Sequence, residues 1–240
     1  MQLKKVNEWQ AEAVQEQSDA ETILRNALHD PQLGRVAMVS SFGAESVVLL
    51  HMAAQIDRHI PVIFLDTEML FAETLEYQRK VAFHLGLKDL RVITPDRNAV
   101  LREDVDGLLH QADPNACCDL RKARPLAQAL DGFDGWITGR KRYQNGTRAT
   151  LPFYEKDGAR IKINPLANWG SDDLRAYIAE HDLPRHPLVA QGYPSIGCMP
   201  CTTRVGAGED PRAGRWRGSD KTECGIHFEN GKIVRKGQVA

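Results

Sequence analysis

Arg35-Val-Ala-Met-Val39 runs into Ser40-Ser41-Phe42-Gly43-Ala44-Glu45-Ser46, and Val47-Val48-Leu49-Leu50-His51-Met52 follows. A short apolar run, a Ser/Gly turn and a second apolar run read as strand, loop, helix. This unit decides the fold. A parallel strand feeding a helix gathers unpaired backbone N–H groups at the helix start, and nearby serine hydroxyls turn them into an anion pocket. The loop has neither the Lys of a Walker A motif nor the spacing of G-x-G-x-x-G. Phosphate binding and a plain strand–helix turn with serine N-caps both stay open on these residues alone.

Working outward, Pro61-Val-Ile-Phe-Leu65 is a second buried strand ending in Asp66-Thr67-Glu68. Polar residues at a strand's C-terminal end stand where open α/β sheets bind ligands, which makes Asp66 a candidate. A helix over Phe71–Leu85 stops at Gly86, and Leu90–Thr94 is a third strand closed by Pro95. Gly135–Thr138 and Ile161–Pro165 read as further strands, and Ser171 opens a capped helix that Pro184 ends. The alternation predicts an α/β fold with a doubly wound, mainly parallel sheet. Ahead of it, Trp9, Val14, Ile23, Leu24 and Leu28 recur at helical spacing. A chain of 240 residues suits one domain, 1–240. Within it, 1–30 reads as an N-terminal helical segment and 202–240 as a mobile, Gly- and Arg-rich C-terminal tail.

The formal net charge of -1 gives no global drive toward nucleic acid or membrane, so any anion-binding surface has to be local. No secretory h-region opens the sequence, and the apolar runs are too short to span a bilayer. The expectation is a soluble, cytoplasmic protein. In that reducing compartment five cysteines point to metal ligation or catalysis rather than to disulfides.

Cys117 and Cys118 are adjacent in N-A-C-C-D-L-R-K, and Cys198 and Cys201 form a C-x-x-C in I-G-C-M-P-C-T. Four thiols in two distant pairs suit one metal centre assembled by folding. Adjacent cysteines on a helix project in different directions. That is awkward for one zinc ion and easier for an iron–sulfur cluster with separate corners. Zinc, a redox C-x-x-C and inert buried thiols remain alternatives. The helix starting near Asp113-Pro114-Asn115 would carry both cysteines, Arg121, Lys122 and Arg124 as far as Pro125. Lys122 falls four residues after Cys118, on the same face, setting a cation beside thiolates. Gly139-Arg-Lys-Arg-Tyr-Gln-Asn-Gly-Thr-Arg148 is a cation-rich loop after a strand, a strong anion-binding candidate. Cys224, in K-T-E-C-G-I-H, follows Arg204, Arg212, Arg215, Arg217 and Lys221 and precedes His227. Those groups favour a thiolate, so Cys224 reads as a nucleophile delivered on a lid, against the alternative of a stray thiol near the chain end.

Six motifs resemble those of the assimilatory adenylylsulfate reductases, in the wider phosphoadenylylsulfate reductase family. They are S-S-F-G-A-E-S at Ser40–Ser46, L-D-T at Leu65–Thr67, C-C-x-x-R-K at Cys117–Lys122, T-G…R…Q…T-R at Thr138–Arg148, I-G-C-x-P-C at Ile196–Cys201 and E-C-G-I-H at Glu223–His227. The resemblance implies a sheet of the PP-loop, adenine-nucleotide alpha-hydrolase-like type. It implies reduction of adenosine 5′-phosphosulfate to sulfite and AMP in sulfate assimilation, with thioredoxin (or glutaredoxin) as donor and an S-sulfocysteine formed on Cys224. It implies one four-iron four-sulfur (4Fe-4S) cluster on Cys117, Cys118, Cys198 and Cys201. Members without these cysteines generally use the 3′-phosphorylated substrate. By the same resemblance Ser40, Ser41, Gly43, Asp66, Lys122, Arg148, Arg212, Arg215 and His227 bind substrate. Two positions depart from the pattern: Ser46 stands where many relatives carry Asp, and Lys141 where many carry Arg. The competing readings are a 3′-phosphoadenylylsulfate reductase on the same scaffold, an iron–sulfur PP-loop tRNA thiolase and a cluster-based redox sensor. The thiolase would need S-G-G-x-D-S and a basic surface, and the sensor leaves Cys224 without a task. No nucleic-acid or membrane partner is expected, and homo-oligomerisation is left open.

Overall fold

The computed structural model describes residues 2–15, 19–144, 146–218 and 221, and two short strands at Phe228–Glu229 and Lys232–Ile233. Six strands form the main sheet: β1 Val36–Ser40, β2 Pro61–Leu65, β3 Asp89–Ile93, β4 Gly135–Ile137, β5 Tyr154–Asp157 and β6 Arg160–Ile163. Their order is β3-β2-β1-β4-β6-β5. All neighbours run parallel except β5, which turns back on β6 as an antiparallel edge. Helices α1 Gln2–Gln15 and α2 Ala20–His29 precede the sheet, α3 Ser46–Ile56 joins β1 to β2, and α4 Ala72–Leu85 joins β2 to β3. Between β3 and β4 lie α5 Arg97–Glu103, α6 Leu109–Ala112, α7 Pro114–Cys118, a π-helical turn Asp119–Ala123 and α8 Arg124–Ala129. Helices α9 Ser171–Glu180 and α10 Pro187–Ala190 follow β6. No helix among the described residues is long and apolar enough to cross a membrane.

The inner strands β2, β1, β4 and β6 are mainly buried on both faces, and side-chain alternation splits the core in two. Val36, Met38, Val62, Phe64, Ile137, Ile161 and Ile163 share one core with Val47, Val48, Leu50 and Val81 of α3 and α4. Ala37, Ile63 and Trp136 point the other way, against Leu126, Leu130 and Phe133 at α8. Each fully buried Leu, Ile or Phe contributes about 1.5–3 kcal/mol, so both faces are needed. At the open edge, Gln10 Oε1 accepts the Tyr154 N–H (2.9 Å), so α1 occupies a donor that β5 would otherwise expose.

The doubly wound, mainly parallel sheet matches the sequence reading, including Gly86 as the left-handed stop of α4 (φ 65°). Two details differ. The edge strand β5 carries Glu155 and Lys156 on its more exposed positions, so its apolar signal is thin. The cysteine helix does not end before Pro125. The π turn hands over to α8 at Arg124, which places Pro125 in a first turn, where a missing N–H costs nothing.

His186 caps α10 and is 1% exposed. Its Nδ1 accepts the Leu188 N–H (3.2 Å), which leaves the proton on Nε2 to donate to Thr74 Oγ1 (3.1 Å). Burial pushes its pKa from 6.5 down to about 4. Between those values only the unfolded chain takes up the proton. Stability from this group is therefore complete above pH 6.5 and falls as pH drops toward 4, by roughly 3 kcal/mol in all. Urea unfolding at pH 7.5, 6 and 4.5 should show this slope, and His186→Asn should flatten it. An unchanged slope in that variant would remove His186 as its source.

Candidate functional site

The chain winds outward from β1 to β3, then crosses back to lay β4 on the other side of β1. That reversal opens a crevice at the C-terminal ends of β1 and β4, the position where open α/β sheets bind ligands. A cleft of about 280 Å³ lies there, walled by the Ser40–Ser46 loop, the Thr138–Arg148 loop, Pro194–Gly197 and Pro211–Trp216.

The Ser40–Ser46 loop is shaped by its own hydroxyls. Ser40 Oγ accepts the Phe42 N–H (3.2 Å), and Ser46 Oγ accepts the Gly43 N–H (3.0 Å) while lying 3.4 Å from Ser41 Oγ. Phe42 adopts φ +47°, a costly conformation for an aromatic residue. Full burial and an edge-on contact with Phe64 (5.2 Å) hold it there. The N-cap of α3 is Glu45, with no side-chain capping bond, so these serines are not helix caps. Ser46, the departure from the family pattern, still supplies an oxygen to the loop backbone.

Six cations line the cleft: Lys122, Arg140, Lys141, Arg148, Arg212 and Arg215. Glu45 is the one carboxylate among the described lining residues. Arg140 pairs with Glu155 and donates to Asn164 Oδ1 (3.0 Å). The buried Lys141 ammonium lies 2.7 Å from Glu45 Oε2, and Tyr143 donates to Glu45 Oε1 (2.6 Å). Burial pulls the Lys141 ammonium below its ordinary value even though Glu45 opposes this, and Arg148 and Arg212 add to the pull. Burial acts to raise the Glu45 carboxyl, but Lys141, Tyr143 and Arg212 outweigh it and hold it low. A strongly positive cleft thus sits in a chain of net charge -1.

Beside this cleft, Cys117, Cys118, Cys198 and Cys201 line a second, small cavity, and none of them forms a disulfide. The first pair comes from α7. The second is docked on the loop after β2: the Met199 N–H donates to Met69 O (2.8 Å), Cys198 bridges Leu70, and Thr67 Oγ1 lies 3.2 Å from Cys198 Sγ. Burial, then the neighbouring Cys198, pushes the Cys117 thiol up to about 11; Arg121 opposes this, while Asp104 and Cys201 add to it. Among the described residues no three His, Cys, Asp or Glu side chains close on a single metal ion. Lys122 and Trp216 line both cavities and so form their shared wall.

The chain after Cys201 folds back on it. Thr202 bridges Arg215, the Thr203 N–H donates to Gly214 O (2.8 Å) and the Trp216 N–H to Cys201 O (3.0 Å). A Cβ on Gly214 would meet Thr203 O at 2.2 Å, so this return leaves room only for glycine. Further on, Lys221 Nζ donates to Pro114 O (2.8 Å) at the start of α7. Of the residues the sequence singled out, Ser40, Ser41, Gly43, Lys122, Arg148, Arg212 and Arg215 line the cleft together. Asp66 does not; its Oδ1 accepts the Glu68 N–H (2.9 Å), while the next residue, Thr67, lines the wall. Cys224 and His227 lie outside the described residues. Sequence reasoning missed Glu45, Thr67, Gly197 and Trp216, although Glu45, Thr67 and Gly197 stand inside motifs it quoted.

Arg121 ties the cysteine helix to the sheet. It donates to Thr67 O (3.0 Å) and, through Nε and Nη2, to Asp104 Oδ2 (3.0 and 2.8 Å), with both side chains buried. Removing one partner of a buried pair leaves the other charge uncompensated, at a cost of about 3–5 kcal/mol. Asp104→Asn should lower unfolding stability by about 3 kcal/mol in urea, since Arg121 keeps its bond to Thr67. A loss below about 1 kcal/mol would show that the pair does not hold this wall.

The pattern of the phosphoadenosine phosphosulfate reductase domain matches residues 35–204. The chain is 54% identical over 204 residues to a Mesorhizobium japonicum protein named adenosine 5′-phosphosulfate reductase, covering 85% of this chain and 79% of that one. It is 40% identical over 196 residues to a Rhodococcus opacus protein of the same name, covering 80% and 79%. Among solved structures, a phosphoadenylyl-sulfate reductase from Candida auris, in complex with phosphate, superposes with a TM-score of 0.70 at 26% identity, over 83% of this chain and 96% of that one. An FMN adenylyltransferase from Candida glabrata shares the fold alone, with a TM-score of 0.56 at 14% identity over 80% and 66%. The sheet is thus of the PP-loop type. With the domain pattern running from β1 through the C-x-x-C and on to Arg204, the chain belongs to the phosphoadenosine phosphosulfate reductase family.

Proposed function

We propose that this chain reduces adenosine 5′-phosphosulfate to sulfite and AMP in sulfate assimilation, with Cys224 as nucleophile and a thioredoxin-type dithiol as electron source. The observation that carries the reading is the cationic cleft at the β1/β4 reversal, sharing the Lys122–Trp216 wall with a four-cysteine cavity. The names of the relatives, at 54% and 40% identity, support the substrate without a 3′-phosphate. The reducing chemistry suits the cytoplasm.

The phosphosulfate lies against Ser40, Ser41, Gly43, Lys122, Arg148, Arg212 and Arg215. The Cys224 thiolate attacks the sulfuryl sulfur, the S–O bond breaks, and AMP leaves with the electron pair. A dithiol thiolate then attacks Cys224 Sγ and releases sulfite, and its second thiol frees Cys224 from the mixed disulfide. Bringing a thiolate to a polyanion costs about 4 kcal/mol per like-charge pair at 4 Å and an effective dielectric near 20. The surrounding cations offset that cost. Residues 202–240 act as the segment that delivers Cys224. Its last described anchor is Lys221, and three residues of chain span at most roughly 11 Å. His227 assists Cys224 or the docking of the dithiol.

The donor set fits a four-iron four-sulfur cluster: four thiols without a disulfide face one cavity, and the burial that disfavours the Cys117 thiolate is what bound iron would offset. Cys117, Cys118, Cys198 and Cys201 would hold it. When bound, it supplies closure between the two cysteine segments and a local field, and no electrons in this cycle. Lys122, on the shared wall, faces both that field and the substrate.

Steady-state sulfite release with thioredoxin should favour adenosine 5′-phosphosulfate over its 3′-phosphorylated form. Equal or better use of the latter would give the second reading, which the family name supports. Cys224→Ser should abolish sulfite formation and keep AMP binding and iron. Lys122→Ala should slow S-sulfonation at least tenfold (about 1.4 kcal/mol) with iron content unchanged, and an unaltered rate would remove its role.

A further inference from the structure

We infer that Trp216 is a positioning residue for this reaction: its indole face seats the Arg215 guanidinium at the cleft, an inference that rests on the reading of the cleft as the substrate site. Arg215 Cζ lies 4.4 Å from the centre of the Trp216 ring, and the indole is 7% exposed. Cation–π attraction is strongest where both groups are desolvated.

The seat has a second side. A Cβ on Gly197 would come within 2.2 Å of Arg215 Nη2 and 2.5 Å of its Cζ. Glycine at 197 therefore leaves a place that the guanidinium fills, in the segment leading into the C-x-x-C. The backbone is committed to the same end. Trp216 adopts φ +49°, a conformation that a bulky residue holds only when its surroundings demand it. The bond from its N–H to Cys201 O and the Thr202–Arg215 bridge supply that demand.

The seat differs in kind from the holds on Lys141 and Arg140. Those cations face the carboxylates of Glu45 and Glu155, which cancel charge as they position it. An aromatic face fixes the direction of a guanidinium without itself bringing a counter-charge to the cleft. The same ring lies 5.9 Å from Lys221 Nζ, three residues ahead of Cys224 in the sequence. One indole thus contacts a cation of the cleft and the base of the segment that carries the nucleophile.

The test compares Trp216→Leu and Trp216→Phe with the wild-type holoenzyme, reading AMP affinity by titration, substrate KM and kcat, iron content and melting temperature. Leu and Phe meet the same backbone cost at a positive φ, so the difference between them reports the ring face. Trp216→Leu should weaken AMP binding and raise KM roughly tenfold, with kcat changed less and iron retained, and Trp216→Phe should recover most of both. Should Trp216→Leu fail to fold, Gly197→Ala displaces the guanidinium while keeping the ring, and should weaken AMP binding to a similar extent. Leu and Phe variants that bind AMP equally well, or a Gly197→Ala variant with wild-type affinity, would overturn the inference. A wild-type protein that neither binds AMP nor releases sulfite would instead overturn the reading of the cleft.

Discussion

Coulomb repulsion is the constraint on which the rest of this molecule depends. Six cations meet at one cleft, and each like-charge pair at 4 Å opposes folding by about 4 kcal/mol at an effective dielectric near 20. The fold answers by hanging them on separate elements: Lys122 on the π turn, Arg140, Lys141 and Arg148 on the loop after β4, Arg212 and Arg215 on the return after Cys201. Each tie is local. Glu45 holds Lys141, Glu155 and Asn164 hold Arg140, and an indole face holds Arg215. What the protein does not supply in that cleft is a second carboxylate among the described lining residues. A dianionic ligand brings the missing charge, so the energy that opposes the empty arrangement favours the filled one.

The two cysteine segments give that arrangement its depth. Cys117 and Cys118 end α7 and lead directly into the π turn that carries Lys122, and Cys201 leads within one residue into the bridge to Arg215. Whatever draws the four thiols together also draws Lys122 to the wall between the cavities and Arg215 to the cleft beside it. The Arg121–Asp104 pair and the bond to Thr67 fasten one side, and the docking of Met199 on Met69 fastens the other. The four-thiol cavity and the cationic cleft are therefore geometrically linked.

The sequence shows β1, the serine loop and α3 clearly, because two apolar runs flanking a Ser/Gly turn leave the backbone little choice of local structure. It shows β5 poorly, because Glu155 and Lys156 interrupt the apolar signal of an edge strand. Asp66 illustrates how fine the margin is. Neighbouring residues in extended chain face opposite ways, so a rule that locates strand ends correctly picks Asp66 while Thr67 lines the cleft. The π turn has no signature in D-L-R-K-A, and Pro125 looks like a stop until the wider turn ahead of it is seen. Trp216 was illegible for another reason. Its role depends on a positive φ and on a glycine nineteen positions earlier, neither of which a linear reading brings together.

The claim that a cysteine takes the sulfuryl group from the nucleotide before any reductant acts can be tested most directly in a single turnover. The holoenzyme is mixed with adenosine 5′-phosphosulfate without dithiol, and AMP release is measured beside the intact and peptide masses. The account predicts one AMP per active chain and one added sulfonate, confined to the peptide containing Cys224. Release of free sulfite without a reductant, or a sulfonate carried elsewhere, would contradict it.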